Sequence, residues 1–416
     1  MQKTQEEFDV VVIGAGAAGL MAAGRAAELG AKVAIIDKNK TLGRKLLITG
    51  KGRCNITQAE FNDKEFIKKL GKKSQWLFSA LAVFGPEKVI NFFESRGLKT
   101  KTERGGRVFP ESDRAQDVLD VLLRYLKEKK VKIFSGEPVL GLDAKNKKII
   151  GVKLANRQIG AKSFILSTGG KAYPVTGSTG DGYAWAKDLG HEIVKPVPAL
   201  VPIETKEVWP KKLQGLSLKN VNLNLWQNNK KQDFRFGEML FTHFGLSGPI
   251  VLDISKKIGE LLPQGEVTIE IDLKPALDIA QLEKRLQRDF SASGNKDFKN
   301  YLPDLVPQKM TEIIIKFSGL DANRKLSSIT KEERKKIAMT LKSLRTGAQG
   351  LMGFDQAIVT SGGVNLNEID SRSMKSRIID NLFFAGEILD LDGPTGGYNL
   401  QICWSTGYLA GTKAAE

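Results

Sequence analysis

The sequence has few of the residues from which redox pairs and metal centres are usually built. Cys54 and Cys403 are its two cysteines in 416 residues, and they form no C-x-x-C pair. A disulfide framework is excluded, a reducing compartment is expected, and a flavin disulfide reductase, which needs a cysteine pair beside its flavin, is ruled out. Two histidines, His191 and His243, are too few and too isolated for a metal site, so no metal is expected. No apolar run reaches the roughly eighteen residues of a membrane span. Glu6, Glu7 and Asp9 stand where a signal peptide would be basic. These absences predict a cytoplasmic protein with no membrane partner.

Repeats and low-complexity tracts are absent as well. Basic charge is plentiful: 64 Lys and Arg against 47 Asp and Glu give a formal charge of +17. It is scattered in short pairs such as Lys68-Lys69, Lys147-Lys148 and Lys335-Lys336, which read as a solvated surface. Attraction to nucleic acid is the sharper alternative. No stripe of basic residues interleaved with aromatics speaks for it, so a small-molecule substrate is the expected partner.

What the chain does have is concentrated at its start. Residues 9–37, DVVVIGAGAAGLMAAGRAAELGAKVAIID, spell strand, glycine turn, helix, second strand and terminal acid. A lone G-x-G-x-x-G is weak evidence, but here every piece of the expected context is present. Gly14 permits the tight turn, Gly16 lets backbone approach a pyrophosphate, and Gly19 lets the helix lie close on the sheet. The helix start aims its free N–H groups at phosphate, and Asp37 is placed to accept ribose hydroxyls. The run from Gly14 through Ala15, Gly16, Ala17 and Ala18 to Gly19 therefore predicts a dinucleotide site.

Residues 1–194 alternate strands and helices, as a parallel α/β domain should, with a small antiparallel excursion between strands at 132–134 and 163–166. From 195 to 345 the texture changes to proline-punctuated β segments and then strongly charged helices, an inserted domain. From 346 to 416 the α/β texture returns. A chain that leaves a domain and re-enters it brings its C-terminus beside the nucleotide site.

Three further elements carry chemistry. In GRKLLITGKGRCNIT, residues 43–57, Arg44 and Lys45, with Lys38 before them, place positive charge near a pyrophosphate. Gly52 lets the backbone fold closely, Asn55 offers an amide to a flavin edge, and Cys54 is either a redox thiol or a packing residue. In the segment 165–191, a strand end at Ser167-Thr168-Gly169-Gly170 exposes backbone near the cofactor. Asp181 there is either an N-cap or a ligand, and Tyr173 is a candidate for the substrate side. In LFFAGEILDLDGPTGGYNLQICWSTGYLAG, residues 382–411, Gly386-Glu387 ends a strand and Gly396-Gly397 opens the last helix. Glu387 suits a ribityl hydroxyl, Asn399 and Gln401 lie in the first turn, and that helix start can stabilise negative charge on a reduced flavin. His243 is either an acid near the flavin or a structural residue of the insert.

Together these elements resemble the BaiN-like (YhiN-like) flavoproteins of the FAD/NAD(P)-binding superfamily, over nearly the whole chain including FTHFGLSGP at 241–249. The most specific matches are GRKLLITGKGRCN and AGEILDLDGPTGGYNLQ. The chain departs from the pattern in having Asp37 where glutamate is frequent, and Lys51 in place of a glycine. The resemblance implies an α/β fold, a Rossmann-like FAD-binding domain interrupted by an inserted β-barrel plus helical domain. It implies non-covalent FAD held by the residues named above together with Val139 and Leu400, and no assigned catalytic acid or base. It also implies hydride transfer through flavin N5 to or from a small organic substrate. An enone reductase drawing on transient NAD(P)H heads that range, with an amine oxidase as its alternative; the +17 charge and the lysine-rich insert add a flavoprotein acting on RNA as a further alternative. A dehydrogenase using nicotinamide alone would leave the C-terminal glycine element without a role.

Overall fold

The computed structural model describes residues 7–416. Two compact units divide them: the chain up to Pro198 with Ala357–Glu416, and Ala199–Gln356.

The first unit is organised by a five-stranded parallel sheet. Its strands lie in the order Leu382–Phe384, Ala161–Leu166, Phe8–Ile13, Val33–Asp37 and Lys132–Ser135. The opening strand sits at the centre, with Val12 paired to Ile35 on one side and Ile165 on the other. Val10, Val11 and Val12 are wholly buried, as befits a β-branched run covered on both faces. The excursion forms a three-stranded antiparallel sheet, turning at Asn146 and Lys147, both at positive φ, the geometry of a two-residue hairpin turn.

Tight packing of the last helix on the first brings the chain ends together. A Cβ added to Gly407 of helix Tyr398–Ala415 would lie 2.4 Å from the Ala18 carbonyl oxygen, and one on Gly411 would lie 2.3 Å from that of Ala22. Glycine on one helix and alanine on the other, helix Ala17–Glu28, let the two backbones approach so closely.

In the second unit, strands Ile203–Thr205, Gly245–Ser247, Lys230–Phe241, Ser217–Gln227, Thr268–Asp272 and Leu344–Leu351 close into a barrel in that order. The helices include Ile279–Ala292 and Lys331–Lys342, each opened by a capping box, Asp278 with Gln281 and Thr330 with Glu333. The units part after Pro198 and Gln356 instead of at 194 and 345. Strand Leu344–Leu351 pairs with both Ile203–Thr205 and Thr268–Asp272, so it belongs to the barrel.

Candidate functional site

The carboxyl ends of the parallel strands and the helix starts beyond them surround a cavity of about 1390 Å³, its open mouth included.

The fingerprint glycines differ in what a side chain would meet. At Gly14, φ is +99° and a Cβ would lie 2.6 Å from the Ser167 carbonyl oxygen. At Gly19 it would lie 1.9 Å from the Gly14 oxygen, so this glycine holds helix against turn and does not line the cavity. At Gly16 a Cβ would meet no protein atom within 4 Å, and Gly16 is on the cavity wall. The space a side chain would fill there is open to the cavity. Helix Ala17–Glu28 starts with no side-chain cap and no acidic residue in its first turn, which leaves its free N–H groups for an anion.

Asp37 closes one end. Its carboxylate accepts the Ala15 and Asn39 N–H groups, each at 2.7 Å, and keeps lone pairs for hydroxyl donors. Lys38 Nζ donates to Asp181 at 2.6 Å. Asp181 is the first residue of helix Asp181–Asp188, with Gly180 in the cap position, so the N-cap reading gives way to an ion pair on the cavity wall.

Residues far apart in sequence meet elsewhere on the wall. Lys45 Nζ pairs with Glu387 at 2.7 Å, and Glu387 also accepts the Thr360 N–H at 2.9 Å. Gly170 makes room, since a Cβ there would lie 2.3 Å from Thr360 Oγ1. Asn399, Leu400 and Cys403 bring the start of the last helix onto the wall. The Asn399 amide, however, donates to the Gly393 and Pro394 carbonyls and accepts the Gly393 N–H. It fixes the loop and is not free to read a ring. Burial pushes the Cys403 thiol up to about 12.

Of the residues expected to bind cofactor, Gly14, Ala15, Gly16, Ala17, Ala18, Asp37, Lys38, Arg44, Lys45, Val139, Thr168, Gly169, Glu387, Asn399 and Leu400 share this wall. Gly19, Gly52, Cys54, Asn55, Gly386, Gly397 and Gln401 do not, for reasons the geometry supplies. Gly52 is exposed on a loop whose neighbour Lys51 sits at φ 60°, a left-handed conformation easier for glycine. Cys54 is fully buried and its thiol is pushed up to about 12 by desolvation, which suits packing and not redox attack. Asn55 keeps a buried amide oxygen with no partner. Gly386, at φ 81°, leaves room for Ala18, and its N–H is bound by Thr406 Oγ1 at 2.9 Å. Gly397, at φ 102°, lets the last helix begin against the Thr57 backbone. The Gln401 amide is wholly buried, donating to the Phe84 carbonyl and Ser405 and contacting Thr57.

The wall also includes Asn39, Thr49, Pro138, Thr176, Gly177, Ser178, Trp185, Ile358 and Val359, which sequence reasoning did not select. Thr176 to Ser178 lie within the glycine-rich segment already singled out. Ile358 and Val359 carry no motif and look like any strand residues.

An FAD-sized dinucleotide fits these features: an open glycine cradle, an uncapped helix start, an acid at the second strand's end, and on the wall a buried Thr168 hydroxyl with no partner. The HI0933-like protein Rossmann domain matches residues 8–413. The chain is 34% identical to the 3-dehydro-bile acid delta(4,6)-reductase of Clostridium scindens, over 97% of this chain and 98% of that one. It is 32% identical to the ribosomal RNA dihydrouridine synthase of Escherichia coli, over 97% of each. Its fold resembles the 3-ketosteroid-delta4-(5alpha)-dehydrogenase of Rhodococcus jostii, with a TM-score of 0.54 at 15% identity, covering 100% of this chain and 98% of that one.

Proposed function

The chain belongs to the HI0933-like family, whose members include flavin-dependent oxidoreductases, and from that premise we propose that it holds FAD and saturates a carbon–carbon double bond conjugated to a carbonyl. The observation that carries this reading is chemical kinship between two full-length relatives. Their names describe reduction of a ring alkene in a 3-oxo bile acid and of the uracil ring in RNA. Both substrates are alkenes polarised by a carbonyl. A reduced flavin supplies hydride from N5 to the far carbon, and a proton completes the neighbouring one.

The chain's own residues then have assigned tasks. The N–H groups at the start of helix Ala17–Glu28 would receive the pyrophosphate of a bound FAD, and Asp37 the ribose of its adenosine half. Lys45 and Glu387, paired on the wall, would hold the ribityl hydroxyls. The start of the last helix would favour negative charge on a reduced ring. Uracil in RNA is the acceptor we favour: the basic residues form no stripe along the sequence, but one relative's name describes an RNA substrate and a net charge of +17 attracts a polyanion at long range. Anaerobic titration of the yellow holoprotein with NADH and, separately, NADPH tests the reductase half. Bleaching by one of them supports it. Bleaching by neither, with rapid bleaching by amines, would replace it with an amine oxidase.

A further inference from the structure

The inserted unit presents a sheet face that its own packing covers only in part. In strand Lys230–Phe241, Phe234 lies opposite Asn224 and Phe236 opposite Asn222 of strand Ser217–Gln227. Asn224 and Asn222 in turn face Glu270 and Asp272 of strand Thr268–Asp272, and Glu270 faces Arg345. Directly opposed residues share a face. The intervening Leu223, Leu225, Ile269 and Ile271 are wholly buried in the unit's core, so the first set points the other way.

Two phenylalanines on that outward face are 53% and 56% exposed, Phe234 and Phe236 respectively. Its carboxylates are withdrawn: Glu270 accepts bonds from Ser343, Arg345 and Trp226, and Asp272 pairs with Lys342 at 2.6 Å. Both acids are 7% exposed. What the face presents is aromatic and basic. The Lys231 ammonium lies 4.8 Å from the Phe234 ring centre, and the Arg345 side chain is 61% exposed. Glu238 ends the row as its one exposed acid.

We propose that this face is a platform for single-stranded RNA, with Phe234 and Phe236 stacking on successive unpaired bases and Lys231 and Arg345 meeting the phosphates. Side chains two apart on a strand stand about 6.8 Å apart, and every base offers a π-face to stack on. The net charge selects the occupant: a polyanion is attracted, whereas a second copy brings another +17. The proposal rests on RNA being the substrate.

The test is fluorescence anisotropy with a fluorescein-labelled oligouridylate of about twelve nucleotides, on FAD-loaded wild type and the Phe234→Ala/Phe236→Ala double variant. The variant should bind about tenfold or more weakly, with its salt dependence, flavin content and thermal midpoint unchanged. Lys231→Ala should instead flatten the salt dependence. Equal affinity of wild type and the phenylalanine variant, no binding by wild type, or a dimer that the phenylalanine variant abolishes would each overturn the proposal. Reoxidation of the reduced holoenzyme by uridine-containing RNA separates the two claims. If both proteins are reoxidised with the same KM, the platform falls and the RNA reading stands. If the rings bind oligonucleotide but RNA accepts no hydride, the platform stands and the substrate reading falls.

Discussion

At the scale of single residues, the fingerprint glycines do three different jobs, and substitution separates them. Gly16 has an extended backbone, φ −81° and ψ −171°, that any residue adopts, and its missing Cβ faces empty space. Gly16→Val should keep the apoprotein's urea midpoint and weaken FAD binding about tenfold or more. Gly19→Val drives a side chain into the Gly14 carbonyl and should destabilise the apoprotein by about 1–3 kcal/mol. Equal stability losses in both would show that Gly16 serves packing. Cys54 gives a second residue-scale expectation. With its thiol near 12, the thiolate fraction at neutral pH is on the order of one in 10⁵. Labelling by a thiol reagent should therefore wait for unfolding; rapid reaction in the native protein would reopen a redox role.

The positions of Gly14, Gly16 and Asp37, at the turn after the first strand and at the end of the second, were legible in sequence because local backbone geometry dictates them. The roles of Gln401 and Asn399 were not. Both are polar residues in a helix's first turn, where a ligand would be met, and their partners at Phe84 and Gly393 depend on tertiary packing. The platform face was hidden for a related reason. A basic and aromatic surface was sought as one stripe along the chain, whereas strand alternation interleaves exposed Phe234 and Phe236 with other residues and draws Arg345 from a distant strand.

At the scale of elements, the helix–helix contact between Tyr398–Ala415 and Ala17–Glu28 joins the chain ends at the cofactor cavity. Gly411→Val meets the Ala22 backbone, which cannot yield as a flexible side chain would. It should cost about 1–3 kcal/mol in urea denaturation and release FAD more readily, since both helix starts line the cavity. Unchanged stability and flavin retention would mean the helices separate freely. The close approach was foreseeable as a return of the chain, but its small-residue seam was not, because glycines at 407 and 411 in a helix equally suit a flexible tail.

A buried polar knot ties three further segments together. His191 Nδ1 meets Glu368 at 3.1 Å, and its Nε2 meets Ser376 Oγ at 2.9 Å. The serine oxygen accepts the Ile378 and Ile379 N–H groups, so its proton goes to Nε2 and Nδ1–H points at Glu368. Desolvation lowers the imidazole from its usual 6.5, against the pull of Glu368. The unfolded chain therefore takes up this proton first as pH falls. The contribution is whole above about 6.5 and is lost progressively below it. Urea midpoints at about pH 8 and about pH 5.5 should differ more in wild type than in His191→Gln; identical differences would contradict the assignment.

At the scale of the whole molecule, a parallel sheet collects residues 14, 37, 45, 168, 387 and 400 onto one wall. The inserted unit is a second body with its own core. The α/β character was readable because strand and helix periods alternate clearly through the first unit. The end of the insert was not, because LRTGAQGL is weakly apolar and carries no strand pattern until its neighbours at Thr268 and Ile203 pair with it.

The central claim, that this cavity holds a flavin which reduces a carbonyl-conjugated alkene, is tested most directly by one anaerobic turnover. Dithionite-reduced holoprotein is mixed without oxygen with uridine-containing RNA or with a 4-ene-3-oxo steroid, and flavin absorbance is followed while the product is analysed. The oxidised flavin spectrum should return with one acceptor, and one carbon–carbon double bond should be saturated for each flavin reoxidised. A flavin that stays reduced with both acceptors, or is reoxidised with no alkene lost, would contradict it.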